Sequence, residues 1–124
     1  MISDIQKSTV VIGASPDPER YSYKATVALL NKGVEVFPIG IRKGFILEKE
    51  IILGRPALMD VHTITLYVGP ERLKDWIAYI IQLKPKRIIF NPGTFDKEAN
   101  NVFLNEGIEC IEACTLVMLS LNQY

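Results

Sequence analysis

"VVIGASPDPERYSYKA", residues 10–25, begins as an unbroken apolar, β-branched run and finishes as a helix, with Gly13, Ser15, Pro16, Pro18 and Arg20 in between and Ser22 near the helix start. A continuous apolar strand that runs through small residues straight into a helix suits a parallel sheet covered on both faces. The same turn leaves helix amides unpaired beside the positive end of the helix dipole, which makes it a ready anion site.

Three further runs have the character of this first strand: "VEVFPI" (34–39), "TITLYV" (63–68) and "RIIFN" (87–91). A fifth, "IECIEA" (108–113), alternates apolar residues with Glu109 and Glu112 and reads as an edge strand with one side in water. Helices fit between the strands. From Ser22 to Lys32, Tyr23, Val27 and Leu30 form a stripe with Ala25, Ala28 and Leu29 alongside, and Gly33 stands where a left-handed residue closes a helix. From Pro70, which suits a first turn, Leu73, Trp76, Ile77, Ile80 and Ile81 keep helical spacing up to Lys84-Pro85. A third helix starts at Thr94 or Asp96, buries Ala99, Val102 and Phe103, and stops at Gly107. The run "TLVMLSLN" (115–122) is apolar almost all round, so it reads as a helix covered by the sheet or by a second copy of the chain. Segment 40–62, broken by Gly44, Gly54 and Pro56, is expected to hold a loop, a short extended piece and one helical turn near 57–60.

Strands alternating with helices through right-handed crossovers predict an α/β fold: a three-layer, doubly wound sheet of five parallel strands in the order 3-2-1-4-5. No repeat, low-complexity stretch or linker interrupts the pattern, so residues 1–124 are expected to form one domain. At 124 residues the chain is long enough to bury about two thirds of its unfolded surface without a metal or disulfide.

Lys and Arg together number 14, as do Asp and Glu, so the formal net charge is zero. That balance argues against a nucleic-acid partner or an anionic membrane surface, and any phosphate binding has to be local. The amino-terminal stretch has no basic region followed by a long apolar one, and no apolar run is long enough to span a bilayer; a soluble, cytoplasmic chain is expected. Cys110 and Cys114 stand four apart and His62 is the one histidine, so reduced, packed thiols are expected rather than a metal site.

Open α/β sheets take ligands beyond the carboxyl ends of their strands, here a crevice lined by 13–22, 38–43, 67–71 and 91–95. The first loop lacks the G-x-G-x-x-G spacing of dinucleotide enzymes. It offers the hydroxyls of Ser15 and Ser22, close backbone approach at Gly13, and Arg20, which reads either as a bidentate phosphate ligand or as a solvated charge. No acidic residue ends strand two to hold a ribose; Arg42 and Lys43 follow it instead. These suit a nucleotide with an extra ribose phosphate, as coenzyme A (CoA) and NADP have, or else a solvated loop. In "NPGTFD" (91–96), Pro92 and Gly93 make a turn and Thr94 or Asp96 caps the next helix, as turn chemistry alone or facing the same ligand.

These residues resemble the small standalone CoA-binding proteins with a Rossmann-like fold, kin to the CoA-binding domain of succinyl-CoA ligase and of ADP-forming acyl-CoA synthetases. The resemblance is carried by G-x-S-x-x-P-x-R-x-S-Y in the first stretch, by "VEVFPIG" (34–40), by "EIILGRPAL" (50–58), and by "FNPGTFDKEANN" (90–101) leading to "EACTLVML" (112–119). It implies that Gly13, Ala14, Ser15, Arg20, Ser22 and Tyr23 meet the nucleotide phosphates, and that Pro38, Ile39 and Gly40 lie near the adenosine. Where many relatives have an asparagine after the strand-two proline, this chain has Ile39-Gly40-Ile41.

His62 precedes strand three, at the end of the sheet away from the crevice, so no histidine is placed as a base or as the phosphohistidine relay that the ligases need. Cys114 leads into an apolar helix and reads as a packed thiol. The expected function is noncatalytic binding of CoA or an acyl-CoA. The alternatives are an NADP-binding oxidoreductase, for which the chain leaves little room, and a nucleotide-sensing subunit. A homodimer through Leu116, Val117, Met118, Leu119 and Leu121 is a further expectation.

Overall fold

The computed structural model describes residues 2–124. In chain order the strands are β1 (Thr9–Ala14), β2 (Val36–Gly40), β3 (Phe45–Ile46), β4 (Lys49–Glu50), β5 (Ile52–Leu53), β6 (Thr63–Leu66), β7 (Arg87–Phe90) and β8 (Glu109–Glu112). The helices are α1 (Tyr21–Asn31), α2 (Pro70–Leu73), α3 (Ile77–Leu83), α4 (Lys97–Asn105) and α5 (Thr115–Ser120), after a 3-10 turn at Asp4–Gln6.

Val10, Val11 and Ile12 of β1 are fully buried, so this strand has no wet face and needs a layer on each side. On one side Val10, Ile12, Ile64, Leu66, Ile88 and Phe90 pack with Leu73 of α2, Ile80 of α3 and Phe103 of α4. On the other, Val11, Ala14, Val36 and Ile89 pack with Leu29 of α1 and with Met118 and Leu119 of α5. These are the three layers expected. Because α5 buries Met118 and Leu119 on its own sheet, Val117 is its one exposed large apolar residue, with Leu121 exposed just past its end.

β1 pairs in parallel with β2 and with β6, and every other neighbouring pair in the main sheet is parallel too. Strand number and order differ from the expectation. The sheet has six strands in the order β5-β2-β1-β6-β7-β8, so the strand at 63–66 lies across β1 from β2 and not beyond β2. Numbered within this sheet alone, the order is 3-2-1-4-5-6. The outer place is taken by β5, which pairs Ile52 with Ile39 and Leu53 with Gly40. An antiparallel hairpin, β3–β4, leads into it. The chain then returns to the start of β1, where the Ser8 hydroxyl donates to the Asp60 carbonyl at 2.6 Å and the His62 amide to the Ser8 carbonyl at 3.0 Å, and β6 is fixed at the side of β1. The helical turn expected near 57–60 is absent; that stretch is irregular, with Asp60 at φ 57°.

Pro38 is accommodated because the Glu35 carbonyl accepts from Thr9, which turns the proline nitrogen by alternation to the outer side, where the ladder to β5 begins only at Ile39. The helix expected from Pro70 to Leu83 is two. At 74–76 the amides of Asp75 and Trp76 donate to the Arg72 and Leu73 carbonyls, a tight turn between the two helices, and Trp76 still packs with Leu73 and Ile80 while it also lines the cavity described below. In α1 the buried residues are Ser22, Ala25, Thr26 and Leu29, one position round from the expected stripe, because small side chains let the helix lie close to the sheet. Asp96, not Thr94, caps α4: its carboxylate accepts from the Ala99 amide at 2.9 Å. β8 is an edge strand as expected, but Glu109 and Glu112 fall on opposite faces of it, so neither face alone is the wet one.

Candidate functional site

The carboxyl ends of β1, β2 and β6 meet where β1 bulges. Ile12 pairs with Ile39 and Ala14 with Gly40, which leaves Gly13 as an extra residue. Gly13 has φ +96°, and a Cβ there would stand 2.8 Å from the carbonyl carbon and oxygen of Tyr67. A Cβ on Gly40 would collide with the carbonyl oxygen of Ala14. The two glycines thus let three strand ends close up beneath the loop, so the close approach expected at Gly13 is made by Tyr67.

Beyond the bulge the loop holds itself. The Asp17 amide donates to Ser15 Oγ at 3.1 Å, the Glu19 amide to Asp17 Oδ1 at 3.0 Å, and the Arg20 amide to the Asp17 carbonyl at 3.0 Å. Arg20 is then the extended N-cap of α1 and offers no side-chain cap, so the first-turn amides of Tyr21, Ser22 and Tyr23 have no capping partner from it. They open a helix of eleven residues.

This helix start opens on a cavity of about 530 Å³. Of the residues singled out in the sequence, Gly13, Ala14, Ser15, Arg20, Ser22, Ile39, Gly40 and Arg42 line it. Tyr23 is half-buried against the α1–α5 side of the core, Pro38 is buried within β2, and Lys43 is exposed in the loop after it. Pro92 and Gly93 are exposed in the turn after β7, and buried Thr94 donates its hydroxyl to the Asn91 carbonyl at 2.8 Å; none of these six is on the cavity wall. Asn91 is spent internally: its amide nitrogen donates to Thr65 Oγ1 at 2.6 Å and to the Leu66 carbonyl at 2.8 Å, and its oxygen accepts from the Thr115 amide at 2.9 Å.

The wall also carries Glu19, Tyr21, Ile41, Tyr67, Val68, Arg72 and Trp76. Arg72 and Trp76 carried no signal in the sequence, because helical spacing assigned them to a continuous helix. Three guanidiniums, of Arg20, Arg42 and Arg72, face one carboxylate, of Glu19, and the cavity is electropositive as a result. Arg20 is held only loosely: Asp17 Oδ2 lies 4.0 Å from its Nε and its side chain is 72 % exposed. Burial pushes the Tyr67 hydroxyl up to about 12, so it stays protonated at neutral pH.

His62 sits at the far end of the sheet, its Nδ1 2.7 Å from Thr63 Oγ1. Among the described residues no group of three or more His, Cys, Asp or Glu side chains is gathered to hold a metal, and no helix is long and apolar enough to cross a membrane. Both cysteines are free thiols; burial, and then the carboxylate of Glu109, push Cys110 up to about 11.

The family described as CoA binding domain matches residues 7–120. The chain belongs to that CoA-binding family. Its fold is also found in solved structures. A crystal structure of an uncharacterized protein superposes with a TM-score of 0.93 at 44% identity, covering 95% of this chain and 98% of that one. A conserved hypothetical protein from Pyrococcus furiosus gives 0.78 at 25% identity over 90% and 97% of the two chains. A hypothetical protein from Pyrococcus horikoshii OT3 gives 0.81 at 22% identity over 93% and 82% and is similar in fold. A comparison with curated proteins found no match.

Proposed function

We propose that this chain binds CoA or an acyl-CoA, without turning it over, in the cavity at the carboxyl end of β1. The observation that carries the reading is the start of α1: uncapped amides and a loosely held Arg20 open onto a cavity of nucleotide size in a chain of a CoA-binding family. CoA has a diphosphate and a ribose phosphate, and the cavity's excess of guanidiniums over carboxylates suits both. Arg20, Ser15 and the first-turn amides of α1 hold the diphosphate; Arg42, with Lys43 nearby, meets the ribose phosphate; Ile39, Gly40 and Ile41 flank the adenosine. When bound, CoA supplies a thiol that carries acyl groups as thioesters. The cavity wall pairs no nucleophile with a base: Ser15 Oγ is engaged by the Asp17 amide, Tyr67 is protonated, and His62 is at the other end of the sheet. That absence of a pair supports a binder.

Calorimetric titration of CoA, acetyl-CoA, NADP and NAD into the purified chain tests the proposal. CoA and acetyl-CoA are expected to bind, and saturating CoA at a hundred times its Kd to stabilise the fold by about 2.7 kcal/mol. Tight binding of NADP with none of CoA would replace the proposal by the nicotinamide alternative. Consumption of acetyl-CoA by the chain alone would overturn the noncatalytic part.

A further inference from the structure

Away from the α1 amides the cavity wall carries Val68, Trp76 and the exposed Arg72 of α2. Trp76, at the break between α2 and α3, lines the wall from the same face of the sheet as Val68, whereas the Tyr67 ring packs on the opposite, α1–α5 face. The indole is clamped. The Arg55 guanidinium lies over its ring, 4.2 Å from the centroid, and Tyr79 meets it edge-on with centroids 5.8 Å apart. The clamp is itself tied to main chain: Arg55 Nη2 donates to the Asp75 carbonyl at 2.7 Å, and the Tyr79 hydroxyl to the Pro56 carbonyl at 2.7 Å. A large aromatic ring that lines a cavity, half-buried and already fixed by its neighbours, gives up little freedom when something lies against it.

We infer that Trp76 is a specificity-determining residue of this site, its indole forming with Val68 the wall against which the pantetheine arm of CoA lies. The inference rests on the CoA reading above. The two halves of CoA need different surfaces: the nucleotide half is anionic and is held by cations and amides, whereas the arm is an uncharged chain of methylenes and amides that ion pairs cannot grip. A fixed apolar wall next to an electropositive corner serves both. Arg55 is a positioning residue, acting through the indole from the connection between β5 and β6.

The test compares CoA with adenosine 3′,5′-bisphosphate, which keeps the nucleotide end and lacks the arm. Both are titrated by calorimetry into the wild type and into the Trp76→Ala, Trp76→Phe and Arg55→Ala variants, with thermal melts to verify folding. Trp76→Ala is expected to weaken CoA about ten-fold and the bisphosphate less than about two-fold, Trp76→Phe to keep most of the CoA affinity, and Arg55→Ala to lower CoA affinity alone. In the wild type, fluorescence of Trp76, the one tryptophan, should change with CoA and stay nearly constant with the bisphosphate. Equal losses for both ligands would put the nucleobase on the indole and overturn the inference, as would no loss for either. A wild type that binds neither ligand refutes the CoA reading itself, whereas bisphosphate and CoA binding that ignore Trp76 refute only the role of the indole.

Discussion

Arg20 exposes its guanidinium to water with Asp17 as a distant partner, and an exposed pair of that kind contributes about 0–1 kcal/mol to stability. Its value lies in binding. Arg20→Ala is expected to weaken CoA by roughly ten- to a hundred-fold, the loss of one charge-assisted bond, while the melting temperature of the ligand-free chain stays put; calorimetry and a thermal melt check the two halves. Gly13 behaves in the opposite way. An alanine there meets both a left-handed backbone and the main chain of Tyr67, so Gly13→Ala should cost about 2 kcal/mol or more of stability, read as a lower urea midpoint. An unchanged midpoint would mean that the bulge relaxes freely. Ser15 and Arg20 were legible in the sequence because one loop carries them, contiguous with the strand that aims it. The sequence also places Tyr67 on the crevice wall, within 67–71, but not Trp76, which reaches the cavity only through how the chain turns at 74–76.

Elements with strong local chemistry are legible in the sequence. The Asp96 carboxylate starts α4, and Gly33 follows α1 with the bond pattern of a closed helix end, its amide to the Leu30 carbonyl and that of Val34 to the Leu29 carbonyl. What tertiary packing decides leaves a fainter trace in the sequence. The buried stripe of α1 is three small residues, Ser22, Ala25 and Thr26, together with Leu29, and a count weighted by large apolar side chains places it one residue off. The start of α5 likewise depends on a contact that no local pattern encodes, the Thr115 amide donating to buried Asn91. Asn91→Ala removes three hydrogen bonds at once and strands a buried amide and carbonyl, for an expected loss of about 2–3 kcal/mol by urea denaturation. A loss under about 0.5 kcal/mol would mean that β6, β7 and α5 do not depend on this side chain.

Over the whole molecule, the strand order was beyond the sequence because β5 contributes only two paired residues, too few for a periodic signal, and yet it takes the outer position. Acid is expected to destabilise the fold through His62. Burial first, then the positive charges of Arg87, Lys7 and Lys86, hold His62 below its usual range, against a smaller opposing pull from Glu109. Thr63 Oγ1 accepts from Arg87 Nε at 3.1 Å, which leaves its own proton for His62 Nδ1 and suits a neutral ring. Since the folded state resists the proton that the unfolded chain accepts, this contribution is complete above about pH 6.5 and is lost as the pH falls toward the lowered value. The melting temperature should therefore drop between pH 7 and pH 5.5, and drop less in His62→Gln; parallel curves for the two would assign the drop to other groups. The two sheet borders have a further consequence, for life in a crowded solution. An open border of a β-sheet invites strands from other molecules, but here one border is a two-residue stub and the other, β8, carries a carboxylate on each face, at Glu109 and Glu112. A second copy adding itself to β8 would set its own Glu109 and Glu112 close to these. The chain is expected to refold from urea without turbidity and the variant with both replaced by valine to form turbid, thioflavin-positive aggregates; clear refolding of that double variant would show that the acids are not what keeps the border unpaired.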